Sequence, residues 1–345
     1  MALSTFSSRR SAPPGSVSAL IAGAVAATLF VAATEFAVRR AGLDALTVHD
    51  TPERWLQQRE RAARLGDNGI LLLGASRIQA GIDLPTLRQA TGADAVQLAI
   101  SANPVLPVFE HLSRDDDVTG LVVVSLTAEN LYEFTRDSQA EHYTRLYDQR
   151  RHGTSVAYAP LEGWLQGQVD SLLVSKATGF HPFMLMDGLR GPAQRYVRTL
   201  PDRSQKIDYR MVDREQAYEA RLAKYVSADQ IVHQAHPDFD DRVAVLNSAV
   251  RRIQDRGGRV VLVRFPSSKG IWAADEIRHP KAEYWDRLAE LTDATAIHFM
   301  DHPSLRAHDL PDGVHMDQQH TVVFTAALAR LLPPASLNRQ AQASR

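Results

Sequence analysis

The chain has 345 residues, 44% of them hydrophobic, enough to fill the core of one large α/β domain or two small ones and too many for a disordered chain. Its 39 Lys and Arg nearly balance its 40 Asp and Glu, and no basic block or aromatic-interleaved basic stripe occurs, which argues against nucleic acid as a partner. With no cysteine, disulfide frameworks, thiolate metal sites and a cysteine nucleophile are excluded.

Residues 1–15 read as a short cytoplasmic tail. The uncharged run VSALIAGAVAATLFVAAT (17–34) follows, and at about 1.5 Å per residue it just spans a hydrocarbon layer of roughly 30 Å, predicting one transmembrane anchor over 16–38. A cleaved signal peptide is the rival, since Arg9 and Arg10 precede the run, but the run exceeds a usual signal core and no A-x-A site follows it. Arg9 and Arg10 on one side nearly balance Arg39 and Arg40 on the other. The N-terminal amine tips the orientation toward an inner-membrane protein with its large domain in the periplasm or outside the cell.

Residues 39–67 read as a linker and a charged leading helix, PERWLQQRERAARLG (52–66). Four apolar runs then predict buried strands: GILLLG (69–74), AVQLAI (95–100), GLVVVSL (120–126) and GRVVLVRF (258–265), with TAIHFMD (295–301) a fifth. Helical patterns lie between and after them at 105–114, 240–257 and 320–332. Strand alternating with helix predicts a three-layer α/β/α domain over 68–334 around a mostly parallel, five-stranded sheet. The interval between the third and fourth strands is longer than a crossover needs, and about 135–257 reads as a mostly helical insertion, including LEGWLQGQVDSLLV (161–174) and GFHPFMLMDGLRGP (179–192). Residues 335–345 form a polar tail.

Open α/β sheets build their sites outside the carboxyl ends of strands, and Ser76 stands just past the first run. Far along the chain, Asp312 and His315 are three apart immediately before the last helix, a spacing that brings them together in one helical turn. A carboxylate beside an imidazole fixes its tautomer and lets the other ring nitrogen take a proton from a serine hydroxyl. Each residue also has a plainer role. SRIQ (76–79) fits a helix capping box, and Asp312-Gly313 is a turn signal with Asp312 a possible helix cap. Arg77 is placed either to bind an anionic or sugar substrate or to pair with a nearby acid. His315 and His320 are five apart, which does not align them as a metal-binding pair on one helix face, so no metal is expected.

A strand ending in Gly-x-Ser near the start of the domain, with Asp-x-x-His before a C-terminal helix, resembles the SGNH (GDSL-type) hydrolases, an α/β/α family with a flavodoxin-like sheet. The likeness covers residues 68–134 and 256–332, and the GASR variant is similar to membrane-anchored bacterial branches related to exopolysaccharide O-acetylation proteins. It implies Ser76 as nucleophile, His315 as general base and then acid, and Asp312 as the orienting carboxylate, with no cofactor. The oxyanion hole would comprise Ser76, Ala102, where the family carries glycine, and Asn130, with Glu129 one position from the expected asparagine. Alanine serves at position 102 provided that its backbone angles are ordinary. The implied activity is an esterase or O-acyltransferase acting on small acyl esters of an envelope glycan. The alternative is a non-catalytic scaffold of the same fold that binds glycan or an envelope assembly partner.

Overall fold

Runs of leucine and β-branched side chains without a polar face are stable as strands only where both faces of the sheet are covered. A computed structural model describes residues 15–40, 48, 50–132, 137–152, 169, 173, 196–225 and 232–334. Its strands are β1 (Gly69–Leu73), β2 (Asp94–Gln97), β3 (Leu121–Ser125), β4 (Val197–Thr199), β5 (Gln205–Ile207), β6 (Arg259–Arg264) and β7 (Thr295–His298). Five of them form one sheet in the order β2-β1-β3-β6-β7, every neighbouring pair parallel. β4 and β5 form a separate antiparallel hairpin.

The helices are α1 (Gly15–Arg40), α2 (Pro52–Arg64), α3 (Ser76–Gly81), α4 (Leu84–Thr91), α5 (Leu106–Ser113), α6 (Gln139–His152), α7 (Arg214–Tyr225), α8 (Phe239–Asp255), α9 (Lys269–Arg278), α10 (Trp285–Leu291), α11 (Pro303–Arg306) and α12 (Gln318–Ala329). Alternation along the strands divides them into two layers. Leu71, Leu73, Val122, Val124, Val260 and Leu262 face α2, α5, α6, α8 and α10, whereas Ile70, Leu72, Leu121, Val123, Val261 and Val263 face α3, α4, α11 and α12. The result is the expected three-layer α/β/α architecture around a five-stranded parallel sheet.

α1 is long and apolar enough to cross a membrane, and none of its apolar window is buried against the rest of the chain. The second predicted strand, 95–100, is shorter as observed, but Leu98 N–H and Ile100 N–H still donate to Leu72 O (2.9 Å) and Gly74 O (3.0 Å), so the backbone follows β1 past the end of β2. The fifth, 295–301, ends at His298 and turns into a 3₁₀ segment, Phe299–Asp301.

Within the described residues the insertion holds more than helices. Its described part holds α6 and α7 but also the β4-β5 hairpin, whose three-residue strands are too short to show a periodicity in sequence. α8 packs its apolar face into the main core, as a crossover helix leading into β6 does, rather than standing apart. The segments 161–174 and 179–192 lie outside the described residues except for Val169 and Leu173.

One buried arginine fastens the hairpin to the sheet. Arg203 lies fully buried in the hairpin turn at φ 68°, a left-handed conformation. Its Nε and Nη2 donate to the Asp50 carboxylate at 2.7 and 2.9 Å, Nη1 to Gln97 O at 3.0 Å and Nη2 to Ala99 O at 3.0 Å. Gln79 Nε2 donates to Asp50 Oδ2 and Arg203 O, both at 3.0 Å, while Gln79 Oε1 accepts from Ser101 Oγ at 2.7 Å. Only a guanidinium presents enough donors in a rigid fork to hold four acceptors in this way. Replacing Arg203 with Met is expected to destabilise the chain by about 3 kcal/mol, because two buried carbonyls lose their donor and Asp50 loses its cation, keeping the Gln79 amide. Denaturant unfolding of the detergent-solubilised chain measures it, and a loss below about 1 kcal/mol would contradict the clamp.

Candidate functional site

The chain adds β2 on one side of β1 and then returns to add β3 on the other, so the direction of winding reverses between β1 and β3. A crevice opens outside the carboxyl ends of strands at such a point. Gly74 makes the turn out of β1 at φ 145°, and a Cβ there would stand 2.8 Å from both Ile78 Cγ2 and Ser125 Cβ. Glycine is therefore required, and the tight turn delivers Ser76 as the first residue of α3.

The capping-box role is overturned. Ala75 is the cap residue and makes no side-chain cap bond, while the Gln79 side chain is committed to Asp50, Arg203 and Ser101. Ser76 Oγ instead lies 2.9 Å from His315 Nε2. His315 Nδ1 lies 2.8 Å from Asp312 Oδ2, and both side chains are buried. The pair meets in a turn, not in a helix. Asp312 Oδ1 accepts from the backbone N–H groups of Val314 (3.0 Å) and His315 (2.7 Å), with Gly313 at φ 83° between them. Asp317, not Asp312, caps α12, accepting from Gln319 N–H.

Two further residues reach Asp312 from the insertion, and sequence reasoning gave no sign of either. Arg221 of α7 donates from Nη2 and Nε to Asp312 Oδ2 at 3.0 and 3.2 Å. Tyr209 stands by the same carboxylate, and burial together with that charge pushes its pKa far above the usual phenol value. Burial by itself would raise the pKa of Asp312. The hydrogen bond and charge of His315 and the two backbone N–H groups outweigh it, holding the carboxyl well below the usual range.

Ser76, His315, Ala102, Asn130, Arg77 and Arg221 all line one cavity of about 370 Å³, within the size range of small-molecule sites. Every residue assigned to the site from sequence thus borders it except Asp312, which stands behind His315. The condition attached to Ala102 fails: its φ is 55°, in the left-handed region, at a cost of about 1 kcal/mol for a residue with a Cβ. Asn103 fixes that loop, donating from Nδ2 to Ser101 O (2.9 Å) and accepting at Oδ1 from Ala140 N–H (3.3 Å).

Asn130 lies in the 3₁₀ turn Ala128–Leu131, where its Oδ1 accepts from Thr127 N–H (2.8 Å) and Thr127 Oγ1 (3.0 Å). The other end of that amide is a donor, Nδ2. Glu129 lines the same cavity and is more exposed than Asn130. Among the described residues no group of three or more His, Asp and Glu is placed to hold a metal ion. Compared with known protein families and with curated proteins, the chain matches none.

A carboxyl held below its unfolded pKa contributes stability that is fully present above the unfolded value, near 3.9, and is lost as pH falls through the folded value. Asp312→Asn is therefore expected to cost about 3 kcal/mol at pH 7, with the gap from wild type narrowing below about pH 4. Denaturant unfolding at the two pH values tests this, and a gap independent of pH would contradict it.

Proposed function

We propose that this chain is a membrane-anchored serine esterase or O-acyltransferase of the SGNH kind, working by way of an acyl-serine. The observation that carries the reading is the continuous hydrogen-bond chain from Ser76 Oγ through His315 to Asp312, placed at a cavity beside the carboxyl ends of β1 and β3. Ser76 and Asp312–His315 resemble the two motifs of that family, and their meeting across 239 residues of sequence supports the resemblance.

His315 Nε2 takes the Ser76 hydroxyl proton as Oγ bonds to the ester carbonyl carbon. Asp312 holds the ring and stabilises the imidazolium that forms. The oxyanion is met by the Ser76 backbone N–H, which as the first of α3 has no acceptor within its helix, together with Asn130 Nδ2, whereas Ala102, held at φ 55°, is left out of the hole. The ester C–O bond then breaks, and His315 returns its proton to the departing alcohol. Water or a sugar hydroxyl next attacks the acyl carbon and gives its proton to His315, which passes it to Ser76 Oγ as the acyl C–Oγ bond breaks.

The exposed apolar helix α1 supports a single membrane anchor, which this reading places in the inner membrane with the domain facing the periplasm or the cell exterior. By the same resemblance the substrate is a small acyl ester, acetyl first, on an envelope glycan. One observation favours a second reading, a glycan-binding scaffold without turnover or a docking protein for an envelope assembly partner: the Glu129 carboxylate borders the cavity, and its charge would oppose an oxyanion.

Hydrolysis of 4-nitrophenyl acetate by the full chain in detergent separates the two. Ser76→Ala and His315→Ala are each expected to lower kcat/KM by about 1000-fold or more. Activity that survives both changes, or a folded wild type without activity, would favour the scaffold.

A further inference from the structure

The cavity at Ser76 adjoins a smaller one, of about 50 Å³, beyond the carboxyl ends of β6 and β7, and Arg77 lines both. Three cations border the smaller cavity: Arg77, Arg264 and Lys281. Two have carboxylates of their own. Buried Arg264 donates from Nη2 to Asp275 Oδ2 at 2.6 Å and to Ser267 Oγ at 3.2 Å, and from Nη1 to Phe265 O at 2.6 Å. Lys281 Nζ is 2.6 Å from Asp286 Oδ1 and 3.1 Å from Asp301 Oδ1.

Arg77 differs from them. Its Nε is buried and donates to no acceptor. A buried donor left without an acceptor costs about 1 to 3 kcal/mol, more when charged, so its presence beside Ser76 asks for an occupant that accepts. The surroundings favour a negative one. Burial, followed by the nearby charge of Arg77, lowers the Arg264 pKa to about 10. The neighbouring His298 is lowered to about 3 by burial, then by Arg264 and Lys281, so it is neutral at physiological pH. Its Nδ1 accepts from Met300 N–H at 3.1 Å, which leaves Nε2 as the protonated ring nitrogen, a donor. The remaining carboxylate of the lining is Glu129, which is exposed.

We propose that Arg77 is the specificity-determining residue of the Ser76 site and binds a carboxylate carried by the ester substrate close to its reacting carbonyl. The inference rests on the serine-ester reading and narrows its substrate class to acidic esters. A guanidinium offers two parallel N–H donors to a carboxylate, and a cavity of about 50 Å³ admits that group and little more. The carboxylate belongs either to the acyl part or to the alcohol part of the ester, and the two sources are separable.

Three matched comparisons test it on the full chain in detergent. 4-Nitrophenyl hemisuccinate against 4-nitrophenyl acetate places the charge on the acyl side, and 4-acetoxybenzoate against phenyl acetate places it on the alcohol side. Wild type is expected to favour one of the charged esters over its neutral match by at least about tenfold in kcat/KM. Arg77→Gln should lower that charged ester at least about tenfold more than its neutral match, with Arg77→Lys between the two. Equal use of charged and neutral esters by wild type, or equal losses on both in Arg77→Gln, would overturn the proposal.

The third comparison is a binding measurement that does not depend on turnover. Succinate at fixed ionic strength should raise the melting temperature of Ser76→Ala and leave that of folded Ser76→Ala/Arg77→Gln unmoved. An equal response, or none in either, would overturn the assignment of Arg77. A chain that hydrolyses no ester yet shows the Arg77-dependent shift would refute the esterase reading and leave the carboxylate site standing.

Discussion

A carboxylate taken out of water must be matched by donors on every side, and Asp312 is the point at which this structure meets that demand. One oxygen accepts the N–H groups of its own turn, which fixes the loop before α12. The other accepts from His315 and from Arg221 of the insertion. The same bonds that make the buried charge tolerable also hold the imidazole in the orientation that aims Nε2 at Ser76. Loss of α7 from its place would leave the carboxylate buried with fewer donors. The insertion is in this sense a structural part of the site, and its role reaches further than covering the domain.

The opposite wall is held by a second buried charge. Arg203 joins the hairpin to Asp50, to the loop after β2 and, through Gln79, to α3. That loop carries Ala102 in a left-handed conformation, and α3 carries Ser76. An alanine there is strained, and the bonds made by Ser101 and Asn103 on either side of it supply what the missing glycine would have given by conformational freedom. Asp312 and Arg203 thus approach the sheet edge from two sides, each drawing on residues between 196 and 225 that the sheet itself does not need.

The sheet was legible because its strands are buried on both faces and read as unbroken apolar runs, and Ser76 was legible because a strand ran into a glycine two residues before it. Asp312 and His315 could be paired because they are neighbours in sequence. What escaped notice acts at long range or through backbone angle. Arg221 lies 91 residues from Asp312, and a lone arginine in a charged helix looks like any solvated one. The strands of the hairpin are three residues long, below the length at which alternation is recognisable. Neither Arg203 nor Ala102 announces a positive φ, since both belong to residue types that rarely adopt one. The capping box failed for a related reason: a glutamine at the right spacing found stronger partners across the fold than its own helix end.

The central claim is that His315 activates Ser76 as a nucleophile, and covalent capture tests it without any assumption about acyl group or acceptor. The full chain is treated with a fluorophosphonate at neutral pH and examined by intact-mass and peptide mass spectrometry. A single phosphonyl adduct on the peptide containing Ser76, formed much more slowly in His315→Ala, is the expected result. A folded wild-type chain that takes up no adduct, or an adduct whose rate ignores His315, would contradict it.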